Sequence, residues 1–326
     1  MSLKTRRIIY SLFILAFVVI SVVVLFYTSG YRYNFKKGVV QKTGVLVVES
    51  YPKDMKIWIN DELKEEKTPA VISSLLPQKY NIKVGRSGYQ IWEKDVRIYP
   101  ARSTFIDYIE VFKSPSMPVY NKKHTEESGR YTLSDSYSRD IYKFYTIKKE
   151  NRIYIEKENI LSLTTSTVST LPVSVYKFLN FEGVSRYFSV KDILNDIIYI
   201  FRIDNFGNIK DSYIFKPAKG MDFNNDKDKV MYFNDYEIWI TDLNSGRKYM
   251  IVRLSKKIDD AIWSESDRSI IYISQDKVYA IEAYDLADRM QYILGEAKNA
   301  RSLLYLKKGV LYIEDSKDGV WSMQIQ

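Results

Sequence analysis

The chain has 326 residues, of which 46% are hydrophobic and 15% aromatic, and this composition excludes a disordered protein and favours about two folded domains. It contains no cysteine, so disulfides, cysteine-ligated zinc and thiol nucleophiles are excluded. The net charge is +9, but residues 1–43 carry seven Lys or Arg and no acid, whereas residues 114–326 carry 31 basic and 30 acidic residues. A nucleic-acid-binding domain gathers its basic excess on a folded face, so we expect no nucleic-acid partner.

An uncharged apolar segment, residues 8–30, dominates the N-terminal region. As a helix, its 23 residues would extend about 34 Å, enough to cross the hydrocarbon core of a bilayer. The segment has no polar stripe of the kind that a soluble core helix shows. We therefore predict a transmembrane anchor within residues 1–31. The alternative is a cleaved signal peptide, although such a peptide usually has an apolar region of about 7–15 residues.

Basic residues lie on both sides of this segment. Lys4, Arg6 and Arg7 precede it in a tail too short to fold, and residues 32–43, a predicted juxtamembrane linker, are also basic. Basic residues near a membrane span favour the cytoplasmic side. Because a large domain follows, we expect a single-pass protein of the cell membrane with a cytoplasmic N-terminus and extracytoplasmic C-terminal domains.

Residues 44–113 contain short apolar runs that are separated by turn residues. The runs recur about every 10–12 residues, a spacing typical of all-β sandwiches. We predict a small antiparallel β-sandwich over this segment.

This segment resembles the PEGA domain, a small β-sandwich of prokaryotic surface and envelope proteins. The resemblance rests on an opening strand ending in Ser-x-Pro, a strand ending in a tight turn, a Thr-Pro pair, a Leu-Pro turn before a tyrosine, and a Gly-Tyr pair. The residues that carry these marks are Pro52, Thr68, Pro69, Pro77, Tyr80, Gly88 and Tyr89. Two departures are the sequence PKDM at residues 52–55, in place of the motif that names the family, and Gln78 in place of a turn glycine.

These marks favour scaffold over chemistry. Pro77 is expected to set a turn, Gly88 to adopt a backbone angle that other residues avoid, and Tyr89 to pack against the sandwich. None of them is a nucleophile or an acid–base group.

Residues 114–130 are rich in Pro, Ser and charge without periodicity, and we predict a linker or, alternatively, an edge segment. The single histidine, His124, lies in this segment. Nothing near it in sequence supports a catalytic triad or a metal site, so no functional role is expected for it.

The remainder of the chain repeats. Residues 221–241 align without gaps with residues 261–281 at an offset of 40, so that Trp239 matches Tyr279. In a third copy Tyr312 keeps this offset, whereas Trp321 comes two residues late. A period near 40 with several short strands per copy is typical of β-propeller blades, and the spacing resembles TolB-like envelope proteins and the WD-type family. We predict a β-propeller of about five blades over residues 131–326, with its core formed by Phe223, Tyr232, Trp239, Trp263, Tyr272, Tyr279, Tyr312 and Trp321. The predicted fold class is mainly β: a transmembrane helix, a small sandwich and a propeller.

Two patterns could carry chemistry. Asp222, Asn224 and Asp226 alternate like calcium ligands, but Lys227 stands where such a loop needs glycine, and a blade turn is the better explanation. Acidic pairs such as Glu65-Glu66 and Asp259-Asp260 could serve glycoside hydrolysis, yet charged turns produce many such pairs. We predict no catalytic, metal-binding or cofactor-binding residue and no cofactor.

The order of anchor, sandwich and propeller favours a non-enzymatic envelope protein. Its β domains would serve as a spacer and as a binding module for a protein, peptide or glycan partner. The alternatives are an enzyme that acts on polysaccharide through propeller carboxylates and a sensor subunit that signals through a membrane partner.

Overall fold

The computed structural model of the chain describes residues 3–35, 37–115, 118–121, 131–284, 288–315 and 319–326. The chain forms two compact units, Met1–Val111 and Phe112–Gln326. Most of the predicted linker 114–130, including His124, lies outside the described residues.

The first unit begins with a helix, and strands follow it. In its described part the elements are α1 (Leu3–Thr28), β1 (Tyr31–Asn34), β2 (Val39–Lys42), β3 (Gly44–Tyr51), β4 (Lys56–Ile59), β5 (Glu62–Lys67), β6 (Ala70–Leu75), β7 (Lys79–Gly85), β8 (Trp92–Arg97) and β9 (Ser103–Glu110).

Helix α1 is apolar on all sides. Its segment Thr5–Thr28 has a mean hydropathy of 3.0, and no part of it is buried against the protein. The helix is long and apolar enough to cross a bilayer, a property that signal sequences near an N-terminus share.

A two-stranded hairpin follows the helix directly. Strand β1 pairs with β2 from Tyr31 opposite Lys42 to Asn34 opposite Val39. The backbone N–H of Thr43 donates to the carbonyl of Gly30 at 2.9 Å and closes the base of the hairpin. The segment predicted as a linker, residues 32–43, therefore contains ordered β-structure.

Strands β3 to β9 form a sandwich of two sheets, with strand orders β6-β3-β9 and β5-β4-β7-β8. Alternate residues of β3, β4 and β7 point inward, and Leu46, Ile57, Ile82 and Trp92 are completely buried between the sheets. One pairing departs from the predicted antiparallel arrangement, because β3 and β9 run parallel. Strands β8 and β9 belong to different sheets, so the chain crosses the sandwich between them and enters β9 in the direction of β3.

The family marks are structural in the first unit. The hydroxyl groups of Ser50 and Thr68 lie 2.5 Å apart in the core, and the Thr68 hydroxyl accepts the backbone N–H of Met55 at 3.1 Å. The peptide bonds before Pro52 and Pro69 are cis.

The remaining marks lie in turns or in the core. Tyr80 is buried, and Gly88 has a φ of 82°, which confirms the expected left-handed backbone. The half-buried ring of Tyr89 lies 4.5 Å under the Arg86 guanidinium. Pro77 lies in the turn before β7.

The second unit is built from β-strands throughout its described part. They are β10 (Val119–Asn121), β11 (Tyr131–Ser134), β12 (Ser136–Arg139), β13 (Tyr142–Lys149), β14 (Arg152–Asn159), β15 (Thr164–Leu171), β16 (Tyr176–Phe181), β17 (Tyr187–Asp192), β18 (Ile197–Ile203), β19 (Ile209–Phe215), β20 (Gly220–Phe223), β21 (Lys229–Phe233), β22 (Glu237–Asp242), β23 (Lys248–Arg253), β24 (Ile258–Trp263), β25 (Ser269–Ser274), β26 (Lys277–Glu282), β27 (Gln291–Glu296), β28 (Ala300–Lys307), β29 (Val310–Asp315) and β30 (Val320–Gln324).

These strands form five antiparallel sheets within the described residues, each of the meander type found in propeller blades. We call them blade 1 (β12–β15), blade 2 (β16–β19 with β11), blade 3 (β20–β23), blade 4 (β24–β27) and blade 5 (β28–β30 with β10). Three apolar clusters fill the spaces between successive sheets from blade 1 to blade 4. The fold class is thus mainly β, as predicted.

Two strands complete sheets that are distant in sequence. Strand β10, near the start of the unit, pairs with β30 at the end of the chain. Strand β11 pairs with β16 and extends blade 2 to five strands. These pairings tie the beginning of the second unit to its end and to its second sheet.

Candidate binding face of the repeat domain

One end of the second unit is formed by turns that repeat from blade to blade. In blades 2, 3 and 4 the turn between the second and third strands contains Asp196, Asp235 and Asp276. The carbonyl of each aspartate accepts a backbone N–H from the segment that leads into the next blade, with distances of 2.6, 2.7 and 2.7 Å from Ala218, Ile258 and Ala297. We call this end the turn face. Its turns are held in place by the blades that follow them.

An apolar pocket of about 200 Å³ opens on the turn face between the last two blades. Its lining residues are Pro118, Glu296, Ala297, Lys298, Ala300, Ile313 and Trp321. Ile313 is completely buried at its base, and Trp321 is half-buried. The charged side chains of Glu296 and Lys298 are exposed at its edge.

The indole of Trp321 is held by hydrogen bonds. Its Nε1–H donates to the Asp315 carboxylate at 3.0 Å, and the same carboxylate accepts the backbone N–H of Gly319 at 2.8 Å. Asp315 is buried, so the pair is shielded from water. The aromatic wall of the pocket is therefore preorganised.

Register explains why Trp321 lines the pocket. In the earlier blades Trp239 pairs with Tyr232 and Tyr279 pairs with Tyr272, as the repeat predicts. In blade 5 the partner of Tyr312 is Ser322, one residue beyond Trp321. Adjacent strand residues point to opposite faces, so Trp321 projects from the face opposite to Tyr312. The prediction that Trp321 repeats the core position of Trp239 and Tyr279 therefore needs correction.

The other predicted repeat residues have structural roles. Phe223, Tyr232, Trp263 and Tyr272 are buried between blades, and burial raises the pKa of the Tyr232 and Tyr272 hydroxyls. Trp239 and Tyr279 are half-buried at the edges of the same cores, and Tyr312 is half-buried in blade 5.

A charged cleft lies on the same turn face at blades 2 and 3, with a volume of about 420 Å³. The Lys219 ammonium lies 3.4 Å from the Asp235 carboxylate, and Lys257 lies 3.9 Å from it. Glu237 accepts the indole N–H of Trp239 and pairs with Arg253, and these contacts lower the pKa of its carboxyl. The cleft presents positive and negative groups together.

Two groups near this cleft are perturbed by burial. Burial raises the pKa of Asp259, and Lys219 and Lys257 partly oppose this effect. Burial also lowers the pKa of Lys191, whose ammonium donates to the Lys219 carbonyl at 2.5 Å. Both groups are therefore closer to neutrality than on an open surface.

The calcium-like segment forms a turn at the opposite end of the unit. The Asn224 side chain accepts the backbone N–H groups of Asp228 and Lys229, and Asp222 accepts that of Trp263. Lys227 has a φ of 57°, as a turn residue does. The side-chain oxygen of Asn224 and one carboxylate oxygen of Asp222 are thus committed to backbone hydrogen bonds.

The next repeat forms the same turn. Ser264, 40 residues after Asn224, accepts the N–H of Ser269, and Asp267 repeats the positive φ of Lys227. Burial raises the pKa of Asp267 to about 6, and its Oδ2 accepts the backbone N–H of Asn225 in the preceding blade. The turns of the two blades are thus joined.

The predicted acidic pairs do not form facing carboxylates. Glu65 and Glu66 lie exposed on β5. Asp260 is buried and accepts the backbone N–H of Leu303 in blade 5 at 2.8 Å, whereas Asp259 is half-buried. Among the described residues no group of three or more His, Asp or Glu side chains could hold a metal ion.

The predicted topogenic residues lie at the start of α1. Arg6 and Arg7 are exposed, whereas the side chain of Lys4 is not among those described.

Sequence reasoning missed the turn face because its pocket depends on the shifted register of Trp321. The signal available in the sequence was the two-residue delay of this tryptophan relative to the repeat.

The sandwich segment matches a family model described as the PEGA domain over residues 43–109. Residues 43–109 form a PEGA domain. The matched residues span strands β3 to β9 up to Ile109 and include the buried Thr68 described above. Comparison with curated protein sequences gives no significant match.

Solved structures with similarity to the chain include several distant ones. The alignment with a chain of a nidogen–laminin complex covers 76% of this chain and 86% of the other, at 10% identity and a TM-score of 0.39. The alignment with a chain of a mitotic checkpoint complex covers 90% of this chain and 80% of the other, at 11% identity and a TM-score of 0.40. The alignment with Hsv2 of Kluyveromyces lactis covers 87% of this chain and 98% of the other, at 10% identity and a TM-score of 0.31.

Proposed function

We propose that this PEGA-domain protein is a non-catalytic, membrane-anchored envelope protein whose repeat domain binds a protein or peptide partner on its turn face. Helix α1 would be the single-pass anchor, with a cytoplasmic N-terminus, and the two β units would lie outside the cytoplasm. The PEGA domain supports this placement, because it is a module of extracytoplasmic type.

Contacts at the end of α1 support a retained anchor over a cleaved signal peptide. The Arg32 guanidinium donates to the carbonyl of Tyr27 at 2.7 Å and lies 3.6 Å over the Tyr27 ring. The Thr43 hydroxyl donates to the carbonyl of Gly30 at 2.9 Å. Removal of the helix would delete the partners of both groups.

The observation that carries the binding proposal is the pocket at Trp321. Its volume of about 200 Å³ is below the 300–1,000 Å³ typical of small-molecule sites, but it can accept one bulky side chain. Binding energy at protein interfaces is concentrated in a few such anchoring contacts, and tryptophan is enriched among them. The apolar lining favours an apolar side chain of a protein or peptide over a sugar ring. Glu296 and Lys298 would contribute polar contacts at the edge.

Site-specific photo-crosslinking in intact envelopes tests the proposal. A photoreactive amino acid in place of Lys298, at the edge of the pocket, is expected to give one discrete covalent adduct. The substitution Ala300→Phe fills the pocket from within and is expected to abolish this adduct. The same photoreactive residue in place of Asn244, an exposed position at the opposite end of the unit, is expected to give none.

A matched control separates loss of the pocket from loss of stability. Trp239 is half-buried and donates its indole N–H to Glu237 at 2.9 Å, an arrangement like that of Trp321 and Asp315. Trp239→Ala therefore removes an equivalent side chain away from the pocket and should leave the adduct intact. Persistence of the adduct in the Ala300→Phe variant would exclude the pocket as the binding site.

A further inference from the structure

The hairpin β1–β2 (Tyr31–Lys42), here called the membrane-proximal hairpin, is placed by its connection to α1. The helix ends at Thr28, and the Gly30–Thr43 hydrogen bond holds the base of the hairpin two residues later. Four strand residues extend only about 13 Å. The whole hairpin therefore lies within one strand length of the point where the anchor would leave the hydrocarbon core.

Apolar and aromatic side chains of this hairpin have little cover from the protein. Phe35 is 89% exposed and Val40 57% exposed, and the Tyr33 and Phe35 rings contact each other edge to face at 5.0 Å. Asn34 is buried, and its amide donates to Gln41 at 3.1 Å. An isolated two-stranded hairpin is marginally stable in water. Packing of these side chains against a second apolar surface would stabilise the hairpin.

The charge of the hairpin is entirely positive. It contains Arg32, Lys36, Lys37 and Lys42, and the first acidic residue of the chain is Glu49. The side chains of Lys37 and Lys42 are exposed, whereas Arg32 is bound to the end of α1. Basic residues close to a bilayer are attracted to anionic headgroups, and aromatic rings favour the same interfacial layer.

The sandwich behaves differently next to this hairpin in the same unit. On the outer face of its larger sheet, Lys83 pairs with Asp61 at 2.6 Å and Lys79 with Asp95 at 3.0 Å. On that surface the positive and negative charges balance, so it has no net electrostatic attraction to an anionic bilayer. The sandwich exposes single aromatic rings at Tyr99 and Phe105, but residues 44–113 carry 11 basic and 10 acidic residues, so the excess of positive charge after the helix lies in the hairpin.

We propose that the membrane-proximal hairpin lies in the headgroup layer of the membrane that α1 crosses and binds anionic phospholipids. Lys37 and Lys42 contact the lipid phosphates, and Tyr33, Phe35 and Val40 enter the layer beneath them. The hairpin then holds the PEGA domain close to the membrane surface. This inference rests on the proposed membrane anchor.

The test uses the full chain in lipid nanodiscs of phosphatidylcholine alone or of phosphatidylcholine with phosphatidylglycerol. Because the chain has no cysteine, Val40→Cys gives a unique site for an environment-sensitive fluorophore. In nanodiscs with phosphatidylglycerol, we expect blue-shifted emission, strong quenching by spin-labelled lipids and several-fold weaker quenching by iodide. Val71→Cys is the matched control, a valine with 64% exposure at the second position of β6, and its probe should remain accessible to iodide in both lipids.

Charge substitution separates lipid binding from a structural role. Lys37→Gln and Lys42→Gln are each expected to weaken insertion of the Val40 probe about fivefold in phosphatidylglycerol nanodiscs, with little change in phosphatidylcholine. A Val40 probe that is open to iodide in both lipids, in a chain that resists carbonate extraction, would overturn this inference and leave the anchor standing. Release of the chain by carbonate would overturn the anchor and the inference together.

Discussion

The PEGA sandwich and the repeat domain are both built from β-strands, but they bury their apolar side chains in different ways. The sandwich has a single core between two sheets, with ion pairs such as Lys83–Asp61 on an outer face. The repeat domain has successive cores, each shared by two blades, and backbone hydrogen bonds from one blade to the turns of another. The sandwich should therefore unfold as one unit, whereas damage to a blade should spread mainly to its neighbours.

The largest expected effect comes from Trp92→Ala in the sandwich. Trp92 is completely buried, and loss of such a side chain costs about 3–5 kcal/mol, a large part of the roughly 5–15 kcal/mol that stabilises a domain. Amide hydrogen exchange should accelerate in all strands from β3 to β9 and stay unchanged in the repeat domain. Lys83→Gln, which removes an exposed ion pair, should leave exchange in both units unchanged.

The matched substitution in the repeat domain is Tyr272→Ala. Tyr272 is also completely buried, and its hydroxyl accepts a hydrogen bond from Gln291 at 2.8 Å. Exchange should accelerate in blades 3 and 4, whose shared core loses the ring, and much less in blade 1. Uniform acceleration across all blades would show that the repeat domain unfolds as cooperatively as the sandwich.

A smaller effect is expected from Asp260→Ala, which breaks a link between blades 4 and 5. The Asp260 carboxylate accepts the backbone N–H of Leu303, and its removal leaves a buried donor unsatisfied, at a cost of about 1–3 kcal/mol. Asp260→Asn keeps one acceptor oxygen and should cost less. Protection of the Leu303 amide measured by hydrogen exchange should fall in the same order, and equal protection in the three proteins would contradict the role of this link.

The smallest expected effect is a pH dependence from Asp267, whose pKa is raised by burial to about 6. As pH rises from about 4, the unfolded chain ionises first, so the folded state loses stability until the group is ionised above about pH 6. Asp267→Asn removes this loss and should stabilise the protein at pH 7 relative to pH 4. The gain is on the order of 1 kcal/mol after allowance for solvent screening at a half-exposed turn.

The control for this prediction has the opposite sign. Backbone N–H groups of Ser245 and Asn244 lower the pKa of Asp242, so its contribution is present above pH ~4 and is lost as the pH falls below it. Asp242→Asn should therefore destabilise the protein at pH 7 and have little effect at low pH. Denaturant unfolding at several pH values measures the stability of both variants. If Asp267→Asn is no more stable than the original protein at pH 7, the proposed effect of burial on the Asp267 carboxyl is wrong.

Local patterns in the sequence predicted much of the fold. The marks from Pro52 to Tyr89 predicted the sandwich, because turns and alternating strands depend on neighbouring residues. The offset of 40 placed Tyr232 and Tyr272 in equivalent buried positions, because each repeat forms the same sheet. Membrane anchoring, orientation and partner binding stay predictions.

The candidate site was less accessible to sequence reasoning. Trp321 aligned only approximately with the repeat, and a shift of one residue in register moves a side chain to the other face of a sheet. The pocket also needs Pro118 and Ala297, which come from segments far apart in the chain. The membrane-proximal hairpin escaped notice because four-residue strands give a weak periodic signal.

The sequence by itself determined the apolar helix, the β-class of both units, the family of the first and the repeat period of the second, because each is written in the spacing of apolar and turn residues. Tertiary structure alone decided the parallel β3–β9 pair, the addition of β10 to β30 and of β11 to β16, and the pocket at Trp321. Such features depend on which edges and faces remain available once the local elements have formed. That choice is made by packing among residues far apart in the chain, and no local pattern records it.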